Sequence, residues 1–228
     1  SQETVGGGGF GDFHARFPDG FTLAAGDTAV ISVAGSDAFF GHFCFLPHLA
    51  IYEDGGAQDA VPDMRPVFGD PAGFNSIVGD GSTPGLSNGS ESVILYHWDG
   101  TSSLVTDVDI VFWGDNLDTR FSKTGVTVGG LTYQDETAVG NQQPIMVGAS
   151  FGSSFQRVDI SEGNQPGPPG NGIAGRDEVG EDLNNTFALQ PYDPARPVQD
   201  APVILSVFTS PAYSDREIVV RATIDSGD

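Results

Sequence analysis

Two aspartates, Asp107 and Asp109, stand two residues apart in the run T-D-V-D-I-V-F-W. In a strand they project from one face, about 7 Å apart by strand rise. Asp115, Asn116 and Asp118 follow at once. Carboxylates so placed can collect Ca²⁺, a hard cation that favours oxygen ligands. A pair of them can also serve glycoside hydrolysis. Asp107, Asp109 and Asp115 are therefore the candidate Ca²⁺ ligands. A second acidic group, Asp177, Glu178, Glu181 and Asp182, falls in a polar stretch. The plainer reading of both groups is solvated acid on a chain with 31 Asp and Glu residues. Neither matches the D-x-[DN]-x-[DN]-G calcium loop.

A second constellation is H-F-C-F-L-P-H, His42 to His48. If this segment is extended, His42 and Cys44 share a face, as two zinc ligands can. His14 and His97 could complete the set. Against this, Cys44 is the only cysteine, and its Phe neighbours suggest burial as a small core residue. Metalloprotease and phosphate-loop motifs are absent: there is no H-E-x-x-H or Walker A sequence. Tyr96, Trp98 and Trp113 could line a carbohydrate or peptide surface, although core or edge packing is the first expectation for them. Phe39, Phe40, Phe43 and Phe45 read as core.

The charge narrows the class of partner. Nine Lys and Arg against 31 Asp and Glu give a net charge of −22. Such a surface repels phosphates, so direct binding of DNA or RNA is not expected. It suits a secreted or salt-exposed protein kept soluble by its own field. Lys123 is the only lysine. No run of 18 apolar residues occurs, so no transmembrane helix is expected.

The elements that must position these residues are strands. With 32 Gly and 15 Pro in 228 residues, and no long apolar period of 3.6, the chain reads as many short strands joined by turns. Its organising stretch is 85–114, a β-hairpin with arms at 92–98 and 104–113 and Asp99-Gly100 in the connection. Leu104, Val108, Ile110 and Phe112 fall on one face of the second arm. Val105, Asp107, Asp109, Val111 and Trp113 fall on the other, which is expected to stay at least partly wet. Further strands are expected over 10–17, 28–34, 154–160 and 186–189, with a short pairing of 126–128 and 131–133 across Gly129-Gly130. Residues 36–41 suggest a helical turn capped by Ser36. The segment 161–185 reads as a long surface loop.

Several motifs, in order, resemble the lamin-tail domain family. They are F-P-D-G-F-T-L-A-A-G-D-T-A-V-I-S from Phe17, L-S-N-G-S-E-S-V-I-L-Y-H-W-D-G from Leu86, F-Q-R-V-D-I from Phe155 and N-N-T-F-A-L-Q-P from Asn184. The resemblance implies an all-β, immunoglobulin-like β-sandwich over 10–191, preceded by a flexible lead-in over 1–9. Bacterial members occur in secreted and surface proteins as binding or structural modules, often beside nucleases and phosphoesterases. The family carries no catalytic residues to transfer. One departure stands out: the opening strand pair, resembling I-x-E-I-x-Y…E-F-I-E-L-Y-N, is not found. A sheet would then expose an edge, unless 10–17 fills the place, and an open edge attracts a strand from another chain.

Residues 192–201 read as a Pro-rich linker. Beyond them, 202–228 resembles the start of a second immunoglobulin- or fibronectin-like repeat. The expected function is a non-enzymatic extracellular or cell-surface module. Its partner would be a protein, or another copy of the chain joined by strand addition. The alternative is an accessory domain of a larger secreted hydrolase.

Overall fold

The computed structural model describes residues 11–24, 27–51, 60–67, 77, 83–148, 152–159, 166 and 169–191, and the backbone course of 204–209 and 218–222. The lead-in 1–9 and the linker 192–201 lie outside these residues. The fold is β-rich. Its strands are β1 (Ala15–Arg16), β2 (Ala29–Ser32), β3 (Leu49–Ala50), β4 (Arg65–Pro66), β5 (Glu91–His97), β6 (Thr106–Trp113), β7 (Thr127–Val128), β8 (Leu131–Thr132), β9 (Ser153–Arg157), β10 (Phe187–Pro191), β11 (Ile204–Thr209) and β12 (Ile218–Ala222). Two helices accompany them, α1 (Ser36–Phe43) and α2 (Leu183–Thr186).

Six strands form one sheet in the order β10-β9-β11-β12-β2-β3. Only β2 and β3 run parallel in it. The two strands of 202–228, read from the sequence either as an extra hairpin or as the start of a second unit, pair with β9 on one side and β2 on the other. The physical reason is that a lone hairpin is marginal in water, and gains ladder partners on both sides by insertion.

The hairpin of β5 and β6 is a sheet of its own. Its turn is built locally. Asp99 Oδ1 accepts hydrogen bonds from the amides of Thr101 and Ser102, at 2.8 and 2.6 Å. Gly114, which ends β6, has φ +81°, and a Cβ there would stand 2.1 Å from the Gly89 carbonyl oxygen. The short pairing of β7 with β8 across Gly129-Gly130 is present as expected.

One hydrophobic cluster joins the hairpin to the six-stranded sheet. It contains Ile31, Leu49 and Phe155 from the sheet and Ile110, Phe112 and Trp113 from β6. The Trp113 and Phe155 rings lie 5.5 Å apart. From Asp109 to Trp113 every residue is buried, so β6 is covered on both faces. The face expected to be wet is dry. Likewise the described part of 161–185 is not a surface loop, since Asp177, Glu178, Val179, Glu181 and Leu183 are all buried.

Around Cys44 the chain is helical rather than extended. Helix α1 runs through Phe43, and Cys44 caps its end in the left-handed region at φ 60°. Gly35, not Ser36, takes the N-cap position, without a side-chain bond. Phe39 is buried with Val30, and Phe43 and Phe45 pack on that small cluster. Phe40 is exposed.

Candidate functional site

Two sites lie on the hairpin, one on each strand. The first is interior. Asp109 and Trp113 share a face of β6, and Phe155 and Arg157 share a face of β9. Where these faces meet, Arg157 donates to Asp109 Oδ1 and to Glu181 Oε1, each at 2.6 Å. All three side chains are essentially inaccessible to solvent. The guanidinium also lies over the Phe187 ring, 4.5 Å from its centre. A planar fork can satisfy two carboxylates at once, which is why arginine serves here.

Beside this triad lies a lysine cage. Lys123 Nζ donates directly to Asp107 Oδ2 and stands 3.4 Å from Glu136 Oε1. The Phe121 and Tyr133 rings flank the ammonium at 5.4 and 5.5 Å. Glu136 is fixed from other directions, accepting from the Lys123 amide and from Asn171 Nδ2, both at 2.6 Å. Burial holds the Asp107 carboxyl above the ordinary carboxylate range. Lys123 opposes that shift, while Glu136 and Asp177 reinforce it. Asp177 is also buried and accepts from the amide and hydroxyl of Thr137, both at 2.7 Å.

The three expected Ca²⁺ ligands are thus distributed differently. Asp107 and Asp109 are inside, facing Lys123 and Arg157 respectively, and Asp115 is exposed. Among the described residues, no group of three or more His, Cys, Asp and Glu side chains is arranged to hold a metal ion. The zinc constellation is dispersed too. Cys44 is exposed rather than a core residue, and His42 belongs to α1. His97 is exposed, while His14 faces Tyr96. Sequence reasoning missed Arg157 and Glu136, and read Glu181 only as one of a loop cluster of acids. The available signal was the F-Q-R-V-D-I strand, where an arginine interrupts a run that packs.

The second site is open. A cleft of about 310 Å³ lies between residues 12–14 and β5. On the β5 side Glu91, Ser92, Val93, Ile94 and Tyr96 line it. Successive strand residues point to opposite faces. A cavity under one face would meet alternate residues, whereas this one meets four in a row. It therefore runs along the edge of β5 that faces away from β6. Among the described residues, β5 pairs with β6 alone.

The polar groups of the cleft are partly desolvated. Burial raises the Glu91 carboxyl, the amides of Ser92 and Ser87 partly offset this, and the charge of Asp12 adds to it. Burial lowers His14 and raises Tyr96. His14 Nε2 and the Tyr96 hydroxyl are hydrogen-bonded, 2.5 Å apart. Trp98 is exposed near the end of the strand, its Nε1 donating to the Ser102 carbonyl at 2.8 Å. Trp113, by contrast, is core, with Nε1 donating to the Ser87 carbonyl at 2.9 Å.

No protein-family model, curated protein or solved structure matches the chain. No helix among the described residues is long and apolar enough to cross a membrane.

Proposed function

We propose that the chain is a non-enzymatic, extracellular or cell-surface binding module of the lamin-tail type, an immunoglobulin-like β-sandwich that accepts a strand from a protein partner. The single observation that carries this reading is the cleft along the edge of β5 that has no strand partner among the described residues. An unpaired edge presents N–H and C=O groups to an extended chain, and flanking pockets supply selectivity. The shared hydrophobic cluster between hairpin and sheet supports the sandwich.

The chemistry of the cleft favours a particular partner. The charge of Asp12 adds to the rise at Glu91, and the whole chain carries −22. A strand bearing a basic side chain among apolar ones complements both features. A second copy of this acidic chain is opposed by its own charge.

The test is titration with an extended peptide of alternating valine and lysine, followed by backbone NMR. Shifts confined to 12–14 and β5, weakened by salt and by Glu91→Gln, are the expected result. An absence of shifts on β5 would overturn the reading. A homo-oligomer in light scattering, with β5 amides protected, would replace the basic partner by a second copy.

A further inference from the structure

The lysine cage has the parts of a reaction centre. Its amine is the only one on a lysine in the chain, where the other eight cationic side chains are arginines. An amine can act as a nucleophile; a guanidinium, always charged, does not. The amine touches one carboxyl, Asp107, which is almost fully buried. A second carboxyl, Glu136, stands 3.4 Å from the same nitrogen and is equally enclosed. Two aromatic rings close the sides.

We propose that Lys123 and Asp107 join in an intramolecular isopeptide bond, with Glu136 as the proton carrier. This goes beyond the binding function and does not depend on it. Proton transfer within the ion pair gives a neutral amine and a neutral carboxylic acid. The nitrogen attacks Asp107 Cγ, and a C–N bond forms. Glu136 takes a proton from Nζ and passes it to the departing hydroxyl. The C–O bond breaks and one water leaves. Nothing is oxidised or reduced, and no co-reactant is consumed.

Each requirement of the step is met by a feature of the cage. Burial disfavours the charged form of Asp107, so the neutral, electrophilic acid is reached at less cost than in water. Contact between the reacting groups replaces a bimolecular encounter, for which effective concentrations of about 10⁵ M and above are known. Glu136 cannot drift away, because the Lys123 amide and Asn171 Nδ2 hold it. Water is largely excluded, which disfavours reversal by hydrolysis. The product would tie β6 to the 121–137 segment, whose Phe121 and Thr137 carbonyls are already anchored by Gln142 Nε2 at 2.6 and 3.1 Å.

The decisive experiment is the intact mass of the purified, folded chain, followed by peptide mapping. A mass lower than that of the sequence by one water, with a branched peptide containing both 107 and 123, is the expected result. Lys123→Arg should restore the full sequence mass. Glu136→Gln should do the same by removing the proton carrier. Asp107→Asn, with Glu136 intact, should form the same bond but lose one ammonia instead. Folded wild-type chain at its full sequence mass overturns the proposal, whatever the variants do. So does a lost water that maps to an Asp-Gly step such as Asp99-Gly100, with the peptides of 107 and 123 recovered apart.

Discussion

The two strands of the central hairpin handle carboxylates in opposite ways. On β6, Asp107 and Asp109 go fully inside, and each meets a cation from another segment. On β5, Glu91 stays half-buried beside an open cleft, stabilised by backbone amides and repelled by Asp12. Among the described residues no ion pair reaches it. The same residue chemistry therefore gives a closed interior on one strand and an open cleft on the other. The difference lies in the opposing elements. Strand β9 and the segment around Lys123 bring cations to β6, whereas residues 12–14 bring another acid to β5.

The largest expected effect comes from breaking the interior side. Arg157→Met leaves Asp109 and Glu181 buried with no cation between them. Loss of one partner from a buried ionic network costs about 3–5 kcal/mol. Urea unfolding of the variant should show that loss, and adding Asp109→Leu with Glu181→Leu should recover much of it. A stability equal to wild type for the single variant would mean that this face is wetter than described.

Next in size is the backbone at the end of β6. Gly114→Ala places a Cβ against the Gly89 carbonyl at a positive φ. Strain at such positions costs about 1–3 kcal/mol. A drop in the urea midpoint of that order is expected, with no change in peptide binding at β5.

The smallest effect is on the open side, and its sign differs. Glu91 binds its proton at higher pH in the folded chain than in the unfolded one. Stability therefore falls as pH rises through the interval between the ordinary glutamate value and the raised native one. Glu91→Gln removes that decline. The variant should be slightly more stable than wild type at neutral pH and equal to it below the interval. A variant less stable at neutral pH would show that Glu91 already has a cationic partner.

The sequence made the hairpin legible because β-branched and aromatic residues alternate with turn chemistry around Asp99-Gly100, all of it local information. The small β7–β8 pairing was legible for the same reason. The interior network was not. Period-2 alternation put Asp107 and Asp109 on one face, whereas the ladder shifts register between them, Asp109 pairing with Leu95 and Asp107 with Tyr96; and acid on a face reads as wet. Its burial depends on Arg157, 48 residues away, and on Lys123, 16 residues away. Charge neutralisation at that range leaves no local pattern. The helix at 36–43 was underestimated because its cap is glycine, which makes no side-chain bond. The cleft was invisible for another reason: it is formed by an edge, and pattern reading assigns faces. The placement of β11 and β12 turned on their partners, β9 and β2, which no feature of their own sequence names.

Amide hydrogen exchange of the free chain tests the contrast between the two strands most directly. The amides of β6 and β9 should exchange slowest, near the limit set by global unfolding. Alternate amides of β5, those turned away from β6 toward the cleft, should exchange fast and gain protection when the valine–lysine peptide is added. Uniform protection along β5 in the free monomer, equal to that of β6, would contradict the account, because the edge would already be filled from within the chain.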